Sequence, residues 1–349
     1  MARIKVLVVE DSLTVRSELA EIVGGDPELE LVGVAQDGKE AIELCRRHRP
    51  DVISMDMVMP VMSGLAATEY IMAHFPTPIL VVSSSDNRGE LYQTYDALAA
   101  GAVDVMEKQT GREAGEQWER GYCAALKLVS RIRVITHPRG KLAILPTPSE
   151  NRGAQRYSLA AIGASTGGPG AILDVLSGLP DSFTLPILFV LHISEPFGSA
   201  FADWLDGQIA RRVAFAKDGD LVSAAAGQVV MAPPGQHLGV RDGRLRLSLE
   251  PERHSCRPSV DVLFESVARD YGASACGALL TGMGRDGAEG LLKIRQAGGL
   301  TVAQDEASSV IYGMPREAAL IGAATHVLPL ADIGPFLGRL PNSTMAQRR

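Results

Sequence analysis

The chain has 349 residues, enough for two domains of ordinary size, and 46% of them are hydrophobic, so each domain can bury its own core. A formal net charge of −7 argues against non-specific binding to nucleic acid or to an anionic membrane surface. Cys45, Cys123, Cys256 and Cys276 are widely spaced with no CxxC pair, which excludes a sequence-local zinc cluster or a dense disulfide framework and predicts reduced thiols.

The opening stretch MARIKVLVVEDS has too short an apolar run for a signal peptide, and no run approaches the roughly 18 apolar residues of a membrane span. A cytoplasmic protein without membrane insertion is expected. From there, apolar runs alternate with helical patterns. IKVLVV (4–9) predicts a strand and LTVRSELAEIV (13–23) an amphipathic helix. LVGVA with GKEAIELCRRH, DVISMD with GLAATEYIMAHF, and ILVVSS with ELYQTYDALAAG repeat the pairing. AVDVME and a helix within about 112–130 complete five units. Strand–helix alternation of this kind predicts a doubly wound, parallel α/β sheet for a first domain, 1–128.

Proline, glycine and basic residues in RIRVITHPRGKLAILPTPSENRGAQR break the periodicity, and 129–156 is expected to be an interdomain linker. A second domain is expected over 157–342. YSLAAIGA, PILFVLHI, RVAFA, QVVMAP, ACGALLTG and LTVAQ read as strands, and helical patterns fall at about 169–178, 198–209, 259–271, 286–297 and 314–322. LGVRDGRLRLSL predicts an antiparallel hairpin turning at Asp242–Gly243. The second domain is therefore also α/β and mainly parallel.

Ligand and catalytic sites in such sheets gather beyond the carboxyl ends of the strands. In the first domain Glu10 and Asp11 end strand 1, Asp56 ends strand 3, Ser83 ends strand 4 and Lys108 ends strand 5. Clustered carboxylates repel unless a cation lies among them, and Mg²⁺ prefers oxygen ligands. A lysine and a hydroxyl opposite suit a phosphoryl group arriving on one carboxylate. Solvated loop acids explain any one of these residues but not five on four strand ends. VVEDS, DMVMPVMSG, VVSS and the lysine of MEKQ resemble the flavodoxin-like receiver domain of response regulators. The resemblance implies that Asp56 accepts a phosphoryl group from a CheA-type histidine kinase. It implies that Glu10, Asp11 and Asp56, with the Val58 carbonyl, hold Mg²⁺, and that Ser83 and Lys108 contact the phosphoryl oxygens. Two positions depart from the receiver pattern: Gln109 follows the lysine where proline is usual, and Val105 stands where an aromatic residue is common.

In the second domain LAAIGASTGGPGAIL runs from a strand through glycines and a serine into a helix. It lacks the lysine of a phosphate-binding loop and the second glycine of a dinucleotide fingerprint. GASTG does match the GxSxG nucleophile elbow, which needs a base and an orienting acid. Two chain orders are available: Ser165, Asp286, His326, or Ser165, His192, Asp286. Position favours the second, because Ser165, His192 and Asp286 all follow strands and gather on one rim, whereas His326 precedes its strand. The amides of Thr166 and Met283 are candidate donors to a developing oxyanion. His254, in the loop RHSCRP, is a further candidate to line the site, and His237, flanking the hairpin, reads as structural.

AIGASTGGP, RPSVDVLF, LTGMGRDG and GMPREA together resemble the catalytic domain of the chemotaxis protein-glutamate methylesterases, the CheB family. This implies a phosphorylation-activated enzyme. It would hydrolyse glutamate γ-methyl esters on chemoreceptors with release of methanol, and deamidate receptor glutamines by the same route. Ser165 would be nucleophile, His192 base and Asp286 the orienting acid. Ester hydrolysis would need no cofactor, and Mg²⁺ would serve the receiver alone. The unphosphorylated receiver would cover the active site. LHISEPF departs from the family's QHMPPGF around the histidine, pointing to a paralogue with its own receptor or pathway. A transcription factor would need a small basic output, which the second domain is not. A receptor-docking domain without catalysis and a generic small-ester hydrolase stand as the other classes, and a monomer is the default.

Overall fold

A computed structural model describes residues 3–84, 88–109, 115–132, 134, 156–193, 195 and 197–340. The chain divides into two compact units, Met1–Lys141 and Leu142–Arg349. Most of the expected linker, and Ser194 and Pro196 of the departing loop, lie outside the described residues.

The first unit contains β1 (Ile4–Val9), α1 (Leu13–Gly25), β2 (Leu29–Ala35), α2 (Gly38–His48), β3 (Val52–Met55), α3 (Gly64–His74), β4 (Ile79–Ser83), α4 (Arg88–Ala99), β5 (Asp104–Glu107) and α5 (Glu116–Val129). The five strands pair in parallel in the order β2-β1-β3-β4-β5. β3 and β4 are buried along their whole length, as parallel strands covered on both faces must be. The helix starts are fixed by side chains where the sequence supplies them. Asp37 accepts from the Lys39 and Glu40 amides at the start of α2, and Ser63 accepts from Ala66 N at the start of α3. The order reverses between β1 and β3, the position at which doubly wound sheets open a crevice at their carboxyl ends.

The second unit contains β6 (Leu159–Ala164), α6 (Gly168–Ser177), β7 (Ile187–Leu191), α7 (Phe197–Gln208), β8 (Val213–Phe215), β9 (Val229–Met231), β10 (His237–Arg241), β11 (Arg244–Ser248), α8 (Val260–Tyr271), β12 (Ala275–Leu279), α9 (Ala288–Gln296), β13 (Leu300–Gln304), α10 (Met314–Leu320), β14 (His326–Leu328) and α11 (Leu330–Gly338). Seven strands form one parallel sheet in the order β14-β13-β12-β6-β7-β9-β8. β10 and β11 form a separate antiparallel pair whose turn has Asp242 and Gly243 at φ 54° and 68°, the two left-handed positions that an Asp-Gly hairpin turn requires.

β6 is the middle strand and is buried throughout. Its small residues have a reason: a Cβ on Gly163 would lie 2.2 Å from Val260 Cγ1, so glycine lets α8 approach the strand. Sequential connections run outward from β6 to β7 on one side, while β12 arrives later on the other. β6 and β12 therefore flank the switch point of this sheet. Elements run within a few residues of expectation with two differences. β2 begins at Leu29, earlier than the apolar run suggested. The strand expected after His326, VLPL, divides between β14, which His326 itself begins, and a final helix, α11, which carries Pro335 inside it. No helix among the described residues is long and apolar enough to cross a membrane.

Candidate active site

Three loops meet at the carboxyl rim of the second sheet and are stitched by backbone hydrogen bonds. Ser165 N donates to Thr281 O at 3.0 Å, which ties the end of β6 to the end of β12. His192 N donates to Ala164 O at 3.0 Å, which ties the end of β7 to β6. Ser165 thus lies between the loops carrying His192 and Asp286. A Cβ on Gly282 would come within 2.7 Å of Ser165 Cβ and 2.3 Å of Met314 Sδ, so only glycine fits beside the serine. Gly167, at φ 74°, turns the chain from the serine into α6. The Thr281 hydroxyl donates to Thr166 O at 3.0 Å and accepts from Ile311 N at 2.9 Å, holding the serine turn to a fourth loop, the one after β13.

The histidine and the acid are paired. His192 Nε2 lies 2.9 Å from Asp286 Oδ2. Asp286 is 2% exposed and accepts three further hydrogen bonds: from Ser259 Oγ at 2.7 Å, Val260 N at 2.6 Å and Asp261 N at 3.1 Å. Two of these donors are amides of the first turn of α8, where unpaired N–H groups attract an anion. Burial alone would raise the Asp286 carboxyl, but the hydrogen bonds from His192, Ser259 and Val260 hold it below the usual carboxylate range. Burial alone would lower the His192 imidazolium; the hydrogen bond to Asp286 and the neighbouring Cys256 sulfur outweigh it and push it up to about 9.

With Nε2 committed to Asp286, Nδ1 is the nitrogen left for proton transfer. It faces Cys256 Sγ at 3.6 Å, and no hydrogen bond joins it to the Ser165 hydroxyl among the described residues. The amides of Thr166 and Met283 donate to no protein acceptor among the described residues, and Met283 is 55% exposed at the rim. His254 bonds to Asp261 Oδ2 at 3.1 Å and accepts from Arg285 Nε, beside Asp286 rather than on it. His326 packs its ring against Phe336 at the other end of the sheet.

Sequence reasoning missed three supporting residues. Ser259 caps α8 while donating to Asp286. Buried His237 accepts from Ser259 N at 3.1 Å through Nδ1, so its Nε2 carries the proton toward Pro251 O. Cys256 faces His192 Nδ1. Leu191, in the place of the glutamine of QHMPPGF, fills the space that a Cβ on Gly168 would enter at 2.6 Å.

The first unit brings its predicted residues together at the rim of β1, β3 and β5. Lys108 Nζ lies 2.8 Å from Glu10 Oε2 and 2.9 Å from Asp56 Oδ1. Asp56 Oδ1 also accepts from Met57 N at 2.8 Å. Glu10 and Asp56 are buried, at 2% and 4% exposed. Burial raises both carboxyls, and the Asp56 charge adds to the effect on Glu10. Burial would lower Lys108, but Asp56 and Glu10 together raise it. Glu10, Asp11 and Asp56 offer oxygens within 4.8 Å of one another. Glu10 Oε2 accepts no aligned hydrogen bond and is balanced by the Lys108 charge. Two buried acids and one exposed acid with a lysine between them are a donor set that fits Mg²⁺. Ser83 is buried and donates to Glu90 Oε1 at 2.8 Å. A Cβ on Gly64 would lie 1.9 Å from the Asp56 carbonyl, which accounts for the glycine ending DMVMPVMSG.

Residues 160–337 match the family model for CheB methylesterase, and residues 6–117 match that for the response regulator receiver domain. A protein-glutamate methylesterase/protein-glutamine glutaminase of Anaeromyxobacter dehalogenans is 43% identical over 337 residues, covering 97% of each chain. One from Pseudomonas aeruginosa is 44% identical over 342 residues, covering 96% of each. Among solved structures, the CheB methylesterase catalytic domain of Thermotoga maritima is similar, at 34% identity and a TM-score of 0.49. It covers 52% of this chain and 97% of that one.

Proposed function

The chain belongs to the CheB methylesterase family, joined to a response regulator receiver domain, and from that premise we propose that it hydrolyses glutamate γ-methyl esters on chemoreceptors under control of phosphorylation at Asp56. The observation that carries the reading is the His192–Asp286 pair, held by Ser259 and the α8 amides, with Ser165 tied into the same rim. The domain assignment is a receiver over 1–128, a linker over 129–156 and a catalytic domain over 157–342.

In this mechanism Ser165 Oγ attacks the ester carbonyl as its proton passes to His192 Nδ1. Asp286 holds the imidazolium through Nε2. The carbonyl oxygen becomes an oxyanion facing the Thr166 and Met283 amides, which have no protein acceptor among the described residues. Collapse breaks the ester C–O bond, and methanol leaves with the proton from Nδ1. His192 then takes a proton from water, which attacks the γ-glutamyl-serine. Glutamate is released and Ser165 regains its proton. With a receptor glutamine the same steps expel ammonia, matching the second activity in the relatives' names.

In the receiver, Asp56 is the phosphoryl acceptor and Lys108 the cation against its oxygens. Ser83 is a further contact once its bond to Glu90 is exchanged. Glu10, Asp11 and Asp56, with the Val58 carbonyl, are the residues that would hold Mg²⁺. The ion, when bound, neutralises the charge that gathers as a phosphoryl group approaches carboxylates. A histidine kinase of the chemosensory type is the phosphodonor.

The test is methanol release from a methylated receptor fragment, with and without a small-molecule phosphodonor and Mg²⁺. The expected result is release that rises with phosphodonor and vanishes in Ser165→Ala. Equal release from Ser165→Ala would overturn the assignment of the nucleophile.

A further inference from the structure

All four cysteines lie among the described residues, and Cys256 alone is partly exposed. Its Sγ sits 3.6 Å from His192 Nδ1. A tetrahedral zinc ion bonds sulfur at about 2.3 Å and imidazole nitrogen at about 2.0–2.1 Å, which sets those two ligands roughly 3.6 Å apart across the metal. The observed spacing is therefore that of two ligands of one tetrahedral ion. It is also an ordinary spacing for a hydrogen bond to sulfur, and the thiol has a second acceptor in His254 O at 3.4 Å. The far side of the ring completes the arrangement. Nε2 is already bonded to Asp286, and metal-bound imidazoles commonly donate their other nitrogen to a carboxylate. A ring nitrogen of His192, the Cys256 sulfur and an Asp286 oxygen all lie within 4.8 Å of one another.

We propose that Cys256 Sγ and His192 Nδ1 form a binding site for a thiophilic divalent cation, with Zn²⁺ as the ion, and that its occupancy shuts off ester hydrolysis. Binding forms one metal–sulfur and one metal–nitrogen bond. The thiol proton, and the Nδ1 proton where the ring is charged, pass to solvent, and Nε2–H stays on Asp286. Nothing is oxidised or reduced, and water fills the remaining positions. An imidazole whose Nδ1 lone pair is on a metal cannot take the Ser165 proton. The inhibitory consequence rests on the proposed role of His192 as base; the metal site itself does not. Hard ions such as Mg²⁺ have little affinity for a thiolate and imidazole, so the ion that serves the receiver leaves this site alone.

The experiment uses the full chain with Mg²⁺ in excess, which keeps the receiver carboxylates occupied. Zn²⁺ binding is counted by equilibrium dialysis for the wild type, Cys256→Ala and Cys256→Ser. Co²⁺ serves as a spectroscopic stand-in. The expected result is one Zn²⁺ fewer bound by Cys256→Ala than by the wild type. A thiolate-to-cobalt charge-transfer band should appear in the wild type and in neither variant. Methanol release by the wild type should fall at least tenfold with Zn²⁺ and return with a chelator, while the variants should change less than twofold. Equal Zn²⁺ binding by all three proteins, or a wild-type cobalt spectrum without the thiolate band, would overturn the site. A cobalt band and lost zinc equivalent together with a hydrolysis rate indifferent to Zn²⁺ would keep the site and overturn its inhibitory role. Absence of hydrolysis from every protein would count against the esterase reading, while dialysis and spectrum would still decide the metal site.

Discussion

The Ser259 hydroxyl donates to Asp286 Oδ1 at 2.7 Å, so the carboxylate that faces His192 is itself held from behind. Ser259 Oγ in turn accepts from Val262 N, making Ser259 both the cap of α8 and a support of the acid. Removing it as Ser259→Ala should lower kcat by roughly 10- to 150-fold, because a hydrogen bond to a charged acceptor contributes about 1.5–3 kcal/mol. KM should change little. Loss of the cap should also cost about 1 kcal/mol of stability. Steady-state kinetics and denaturant unfolding check both, and a change confined to stability would show that the hydroxyl serves the helix alone.

The His192 imidazolium, held up at about 9 against an ordinary value of 6.5, must lose its proton to fill the proposed role of base. The rate of ester hydrolysis should therefore rise with pH across that window. The sign for stability is opposite. The raised group contributes stability that is complete below about 6.5 and is lost as pH rises through about 9. Cys256 is one of the groups raising His192, so Cys256→Ala should move the rising limb to lower pH. A pH–rate profile of kcat/KM for the two proteins checks this, and superimposable limbs would contradict it.

Lys108 is the counter-charge that Glu10 and Asp56 share. Lys108→Ala leaves two buried carboxylates without it. Breaking a buried pair in this way typically costs about 3–5 kcal/mol. The thermal transition of the receiver should drop in chelator-containing buffer, and Mg²⁺ should restore more of it than it adds to the wild type. Calorimetry with and without Mg²⁺ decides the matter; an ion with no extra effect on the variant would speak against Glu10 and Asp56 as its ligands.

Gly282 is a tight neighbour of the serine. Gly282→Ala would set a methyl group 2.7 Å from Ser165 Cβ. Displacement of a nucleophile by about 1 Å costs on the order of 10²-fold, and kcat should fall by about that factor while the protein stays folded. Circular dichroism alongside kinetics separates the two effects.

The alternation of strands and helices, the rim on which the chemistry gathers, and the identities of Ser165, His192 and Asp286 as rim residues were all legible. Buried parallel strands read as apolar runs, and the polar residues just after such a run must lie at its carboxyl end. Element ends were less so. In LADIGPFLG the internal proline and glycines mask a helix whose packing against α6 overrides local preference. The supports of the site were not legible at all. Cys256 meets His192 across 64 residues, Ser259 meets Asp286 across 27 and His237 meets Ser259 across 22. Such pairings are set by tertiary packing, and no local pattern announces them. The orientation of the ring belongs to the same class: sequence suggested a base for Ser165, and the structure turns its free nitrogen toward a sulfur.

β6 runs through the middle of its sheet with neighbours on both sides, and Ser165 is the next residue. Backbone amides in such a strand are released to solvent only when the whole unit opens. In a hydrogen–deuterium exchange experiment the slowest amides should therefore be those of Leu159–Ala164, directly beneath Ser165. Inactivation by denaturant should then follow the cooperative loss of the entire catalytic unit, with no earlier fraying of the serine, so that enzyme activity itself becomes a gauge of global unfolding.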